Sequence, residues 1–571
     1  MNKKHNIRKV CIPVAVAITA VMAGACSDWD DHYTADNVAG SANSTIWENI
    51  VANENMSQFR TLALKAGYDS VLNAPNSYTV WIPADGTFNY DSINNLGNDK
   101  LLKEFLQNHI AKNNISASGT VDKKVLLLND KFKEFKGFGS YTMGGVQVSQ
   151  PNILSTNGVI HLTTGRLPFF ANIYEMLSPE IHPIDSVAGF YHSYDVRKLD
   201  LSKSTEGPLK DGERTYLDSV YTETNDLYRR YNALINAEDS NYTMLVPTNE
   251  AWIKAKEAIK KYYNYVPNFT FLANTAATAA SGRVEQKVSI NAEYLLDSIT
   301  NRNIMKDLFF NNNLYDNSRL ESLQTGQKLE ADSLVTTGGT KIMHDDAAKL
   351  FANVTRGDAS NGSVFYTDNI GMQPWLTWNP IIRIEGEATR YVSYSNQAVI
   401  SSPRVTAANR NPAVPGKLSN NMYASIAPSG SQSNPEVDYY LPNVRSAEYN
   451  IYIVFVPTNI TNVYDTLPKP SKLRLTIGYN DEKGKVKELR GSDFVTNANK
   501  IDTMLVGNFT FPIAYYGTGN YYPYIRINER SKSRERDLYS RTFGVDCILL
   551  VPKELDDYMK EHPEYTLPKD Y

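Results

Sequence analysis

The stretch Tyr78-Thr79-Val80-Trp81-Ile82-Pro83-Ala84-Asp85-Gly86-Thr87-Phe88 returns as Tyr242-Thr243-Met244-Leu245-Val246-Pro247-Thr248-Asn249-Glu250-Ala251-Trp252. Each copy reads as an apolar strand, a proline stop, a polar turn and an aromatic residue that opens a helix. A repeat at domain-length spacing predicts tandem copies of one fold, because solenoid repeats are far shorter. A second phrase repeats as well. Thr156-Asn157-Gly158-Val159-Ile160-His161 is echoed by Ser360-Asn361-Gly362-Ser363-Val364-Phe365-Tyr366, an Asn-Gly turn that feeds a strand.

Working outward, residues 44–178 form the first expected domain. Ser44 reads as an N-cap, Ile46, Ile50 and Val51 as one helix, and Phe59, Leu62, Ala63 and Ala66 as a second that Gly67 stops. After the strand at 78–82, Leu101, Leu102, Phe105, Leu106, His109 and Ile110 keep helical spacing. Strands are expected at 121–128, 145–149 and 158–162, which makes an α+β domain. Residues 183–380 repeat the plan with insertions and a polar loop at 274–283. Residues 381–552 lose helical spacing. Short alternating runs at 381–385, 449–456, 472–479, 504–511, 524–528 and 543–551 predict an all-β sandwich of jelly-roll type, with a long loop at 401–435. Residues 553–571 read as a polar tail.

The first residues read as an address. Lys3, Lys4, Arg8 and Lys9 precede an apolar run from 10 to 22, and Ala23-Gly24-Ala25 precede Cys26. This is the layout of a signal peptide, with a run too short for a comfortable membrane span. The triplet before Cys26 resembles a bacterial lipobox, which implies that Cys26 carries lipid and anchors the chain to the outer membrane. Asp28, Asp30 and Asp31 follow within an acidic tether at 26–43 and resemble the export signal of surface lipoproteins, which implies a location facing the cell exterior.

Composition bounds the rest. The 571 residues are 42% hydrophobic and 21% charged with a net charge of -4, which gives no electrostatic case for a nucleic-acid partner. Three cysteines, of which Cys11 lies in the signal segment and Cys547 in an apolar run, provide no disulfide framework.

The repeated phrases resemble those of the fasciclin domain. Pro247-Thr248-Asn249-Glu250-Ala251-Trp252 and Asn157-Gly158-Val159-Ile160-His161-Leu162 stand close to its two motifs. Ala84 and Gly86 depart from the first, where threonine and a helix former are usual. Residues 381–552 resemble a galactose-binding-like sandwich through Ile382-Arg383-Ile384-Glu385-Gly386-Glu387 and the segment around Asp546. The order of parts resembles surface lipoproteins that accompany TonB-dependent importers and their SusD-like lids. The resemblance implies a non-catalytic binding protein that captures a glycan or peptide for such an importer, or else a fasciclin-type adhesin.

The chain has no nucleophile elbow, no His-Glu-x-x-His and no P-loop, and neither an enzyme activity nor a cofactor is expected. His109 and His161 fall among apolar neighbours and read as structural. His344 with Asp345 and Asp346 lacks further spaced ligands, so no metal site is expected. Glu385 and Glu387 share a strand face that reads as solvated. The ligand site is expected on sandwich loops at Tyr515, Tyr516, Tyr521 and Tyr522 beside Arg534 and Arg536, aromatic faces with guanidinium neighbours.

Overall fold

The computed structural model describes residues 42–179, 182–274 and 283–563. Cys26 and the acidic tether as far as residue 41 lie outside the described residues. The chain forms two compact units. Of the described residues, one comprises those up to Phe170 together with Arg197–Glu223, and the other Ala171–Val196 and those from Thr224 onward.

The first unit is built on a seven-stranded sheet. Its spatial order is Ile110–Lys112, Tyr78–Pro83, Gly158–Thr163, Val146–Ser155, Ser140–Met143, Phe132–Phe138 and Thr120–Leu126. Tyr78–Pro83 runs parallel to Gly158–Thr163 with Tyr78 opposite Gly158, and antiparallel to Ile110–Lys112. Every residue of Tyr78–Pro83 is buried, because both of its faces are covered. On one face Val80 and Ile82 meet Ile50, Phe59 and Leu62 of the helices Ile46–Ala52 and Ser57–Lys65. On the other, Trp81 packs between Phe135 and His161.

The repeated phrases have identifiable structural work. Asn157 is buried, and its Oδ1 accepts from Ile46 N at 2.7 Å while its Nδ2 donates to the carbonyls of Leu72 and Ala74. Gly158 follows at φ +148°, where a Cβ would meet Tyr78 O at 1.9 Å, so only glycine lets the parallel strand close. Asp85, just past the proline stop, accepts from the N–H groups of Ser57 and Gln58 and so caps the helix Ser57–Lys65.

The second unit repeats the centre of this plan in a four-stranded sheet. Tyr242–Pro247 runs parallel to Gly362–Thr367 with Tyr242 opposite Gly362, and antiparallel to Phe309–Asn311. Asn361 accepts from Ile173 N and donates to Ile235 O and Ala237 O. Asn249 accepts from Ser186 N at the start of the helix Asp185–His192. Where the copies depart, the structure departs. Thr248 caps the twelve-residue helix Asn249–Lys260, whereas Ala84 supplies no cap, Gly86 sits at φ +75°, and only the five-residue helix Tyr90–Asn94 follows.

Residues 382–552 form two antiparallel sheets with a core between them. One holds Ala398–Ser401, Ala424–Pro428, Phe543–Pro552, Glu448–Val456 and Asp502–Thr510, with Ile382–Glu385 also on Phe543–Pro552. The other runs Val392–Asn396, Glu436–Tyr440, Tyr524–Glu529, Lys472–Asn480 and Val486–Val495. Ile384, Tyr449, Ile451 and Ile548 from the first meet Tyr439, Ile477, Ile525 and Ile527 from the second.

Several local expectations change. Thr45 rather than Ser44 is the N-cap, because Thr45 and Glu48 form a reciprocal capping box. The helical spacing at 101–106 is a π-helical turn. The long loop at 401–435 contains the strand Ala424–Pro428. The polar tail begins as the helix Lys553–Glu561. It buries Leu555, packs the Tyr558 ring against Trp375 with centroids 5.0 Å apart, and places Asp556 where Asn450 and Tyr452 donate to it. A single apolar stripe suffices for this docking, and a count of charged residues hides it.

Candidate functional site

Side chains alternate along each strand of the five-stranded sheet, so the face turned away from the core is fixed by register. Three rows cross it. Tyr440, Tyr524, Gly478 and Glu488 stand opposite one another in the first. Tyr394, Asp438, Arg526, Thr476 and Arg490 make the second, and Asn396, Glu436, Asn528, Arg474 and Asp493 the third.

Arg526 is the hub. Its Nε and Nη2 donate to the two carboxylate oxygens of Asp438 at 2.9 and 3.1 Å, a fork-to-fork pair. Nη1 donates to Glu488 Oε1 at 3.1 Å, and Glu436 Oε1 lies 3.2 Å from Nε. Asp438 is fully buried, and the Arg526 guanidinium compensates its carboxylate. Tyr524 donates its hydroxyl to Glu488 at 2.6 Å, Asn528 donates to Glu436, and Arg474 pairs with Asp493 at 2.8 Å. The Tyr524 ring lies flat against Gly478, where a Cβ would sit 2.0 Å from Cζ. Arg474, Arg490 and Arg526 face Glu436, Asp438, Glu488 and Asp493, one more carboxylate than guanidinium. Arg530 adds a fourth guanidinium 3.8 Å from Asp493, so the face offers donors and acceptors with its charges balanced. Tyrosines flank it: Tyr394 is half-buried at one edge, and Tyr440 and Tyr522 meet at one end with ring centroids 6.0 Å apart.

The six side chains expected to form the site divide. Tyr515 is in the core, where its hydroxyl donates to Asn480 Oδ1 and accepts from Asn480 N. Tyr516 covers the Arg445 guanidinium and abuts Tyr263. Tyr521 is wedged against Phe269 and Phe271 of the hairpin strand Asn268–Asn274. Only Tyr522 reaches the flank of the polar face. Arg534 and Arg536 are exposed beyond Glu529, at the far end of Tyr524–Glu529, and Arg536 donates to Ser431 O and Gln432 Oε1. The length of that strand, roughly 20 Å, separates them from the tyrosines. Sequence adjacency could not show that the chain traverses a whole strand between the two groups.

Other charged groups settle into structure. His109 Nδ1–H donates to Phe105 O while Nε2 accepts from Leu167 N, and burial pulls its pKa down to about 4. His161 donates through Nε2 to Ile115 O and is likewise lowered to about 4 by burial. His344 Nδ1 donates to Ala331 O. The face expected to be solvated at Glu385 and Glu387 is half-buried. Glu385 pairs with Arg383 at 2.7 Å, and burial raises the Glu387 carboxyl. Beside them, burial and these two carboxylates push Asp546 up to about 7 against the Ser419 N–H that lowers it. Among the described residues, no group of three or more His, Cys, Asp or Glu side chains is arranged to hold a metal ion.

The pairing of Tyr78 with Gly158, the Asn157 clasp and the Asp85 cap all lie in a segment with a family match. Residues 54–163 match the family model for the fasciclin domain. The match covers this segment alone. Among solved structures, the chain is similar to a FAS1 domain pair from the insect cell adhesion molecule fasciclin I, at 14% identity over 57% of this chain and 98% of that one, TM-score 0.20. It is also similar to the CBM22-1–GH10 modules of the Clostridium thermocellum xylanase 10B complexed with xylohexaose (14% identity, 30% of this chain and 28% of that one, TM-score 0.19). A third is the CBM22-2 xylan-binding domain of Paenibacillus barcinonensis Xyn10C, at 12% identity over 30% of this chain and 98% of that one, TM-score 0.17. No curated protein matches the chain. Among the described residues, no helix is long and apolar enough to cross a membrane.

Proposed function

We propose that this is a non-catalytic, adhesion-type binding protein of the cell surface that holds a neutral glycan on the Arg526 face of its sandwich. One observation carries the reading. A strand face with a pre-formed array of donors and acceptors is flanked by Tyr394, Tyr440 and Tyr522. Sugars present hydroxyls, which both donate and accept, and apolar ring faces, which stack on aromatic side chains. The guanidiniums of the face are paired with its own carboxylates, which favours a neutral ligand over an anionic polymer. Binding rather than turnover is supported by the state of the acids: Asp438 is held in a two-point pair with Arg526 and Glu488 accepts from Tyr524, so neither is poised to move a proton.

In this reading the second repeat, which shares the Asn clasp and the parallel strand pair, is a second fasciclin domain. Cys26 carries the lipid anchor in the outer membrane, and capture serves a TonB-dependent importer. The fasciclin domain at 54–163 favours adhesion as the competing role. A glycan array probed with the full chain tests the proposal. Binding to neutral glycans is expected. Retention only on uronate or sulfated glycans, or turnover of any bound glycan, overturns it.

A further inference from the structure

The seven-stranded sheet of the first unit curls until its terminal strands meet, but they meet at one point. Ala111 bridges Leu127, and Leu128 N donates to Ile110 O at 2.8 Å. Beyond Lys112 the chain turns away. Asn113 takes φ +76°, Ile115 N donates to Thr79 Oγ1, and Ala117 N donates to Asn152 Oδ1. The edge of Thr120–Leu126 is left open, and a cleft of about 420 Å3 lies along it. Lys112, Lys123 and Lys124 line it together with Ile115, Val125 and Leu126.

Two features mark this cleft as more than a gap. The first is backbone. Leu127 N donates to Lys131 O on the inner side and Leu128 N across the seam, so by alternation the N–H and C=O groups of Asp122, Lys124 and Leu126 face the cleft. Among the described residues the sheet order ends there. The second is the placement of charge. Lys123 shares a strand face with buried Val121 and Val125, a position that apolar residues normally hold, and is exposed because the cleft reaches it. Lys112 already donates to Ser202 O and Lys203 O, Asp122 pairs with Lys136, and Lys124 holds its ammonium over the Phe132 ring at 4.3 Å, so Lys123 supplies the cleft's positive charge with Lys124 at its margin.

We propose that this cleft binds an extended acidic segment of a partner protein as an added strand. Its backbone pairs with Asp122, Lys124 and Leu126. Lys123 and Lys124 lie on opposite faces of the strand, so its carboxylates stand at adjacent positions to meet both, and an apolar residue covers Leu126. Lysines on an open edge also serve to repel other strands, and the experiment separates the two roles.

The full chain is titrated into a labelled octapeptide of repeating Asp-Asp-Val-Val, a Lys-for-Asp counterpart, and an Asp peptide N-methylated at alternate residues, with anisotropy as readout. The Asp peptide is expected to bind and the other two to bind roughly tenfold more weakly or not at all. Lys123→Glu with Lys124→Glu should reverse the peptide preference. Lys124→Pro, which removes an N–H not used within the sheet, should weaken binding without unfolding an edge strand. No binding, equal binding of the Lys peptide, or indifference to charge reversal overturns the proposal. Binding that emerges only after Asp28, Asp30 and Asp31 are changed to Asn would assign the cleft to the chain's own acidic segment and also overturn the partner.

Discussion

Arg526 and Asp438 stand directly opposite on neighbouring strands, and the guanidinium closes on the carboxylate with two hydrogen bonds of 2.9 and 3.1 Å. The two residues are 88 apart in sequence. Removing one partner strands the other. Asp438→Ala leaves Arg526 facing only Glu436 and Glu488, and Arg526→Ala leaves a buried, uncompensated carboxylate. Truncating Arg526 should cost about 3–5 kcal/mol, whereas Arg526→Met with Asp438→Leu should cost far less. Urea unfolding of the three variants checks this; equal loss in the double variant would refute it.

Asn157 makes three buried hydrogen bonds that tie two segments to the central strand pair, and Asn361 does the same in the second unit. Each Asn→Ala change should cost about 3 kcal/mol, since neutral buried bonds contribute about 1 kcal/mol each. Gly158→Ala should be worse, because its Cβ would collide with the Tyr78 carbonyl. Thermal unfolding is the measurement, and a loss below about 1 kcal/mol for either asparagine would contradict the clasp.

The fold was legible where local chemistry repeats and obscure where it does not. The strand, proline and polar-turn phrases locate both parallel strand pairs because each residue type answers a local need, such as glycine at the Tyr78 contact or Asp85 at a helix start. Strands such as Glu436–Tyr440 and Val486–Val495 escaped notice because their outward residues are charged and mask the alternation. The polar face was invisible for the same reason. Arg526 reads as one polar residue in Tyr524–Glu529, and only register brings Asp438, Thr476 and Glu488 beside it. Tyr515 and Tyr516 were conspicuous in sequence, but the structure spends them on the core and on Arg445.

Acid should loosen the first unit. His109 and His161 have pKa values of about 4 in the folded chain against 6.5 when unfolded, so the unfolded state binds protons first as pH falls. Their neutral forms cost nothing above pH 6.5, and stability is lost as pH drops from there toward 4, by up to a few kcal/mol per histidine. Denaturant unfolding at pH 7 and 4.5, followed through Trp81, checks the sign. Greater stability at pH 4.5 would contradict it.

Asp546 should act in the opposite direction. Its folded pKa of about 7 lies above the unfolded value of 3.8, so ionisation is penalised and stability falls as pH rises from 4 to 7. Asp546→Asn keeps an acceptor for Ser419 N and removes the charge. It should stabilise the chain at pH 8 and make little difference at pH 4. A variant less stable than the parent at pH 8 would contradict this account.

The central claim is that the sandwich presents a glycan-binding face centred on Arg526 and flanked by tyrosines. Isothermal titration of the full chain with a neutral glycan that it binds, before and after Tyr394→Ala and Tyr440→Ala, tests this most directly. Each truncation should cost about 1–3 kcal/mol by analogy with other aromatic stacking platforms, with unfolding temperature preserved. Unchanged affinity in the Tyr394→Ala, Tyr440→Ala double variant would contradict the account and move the site elsewhere on the chain.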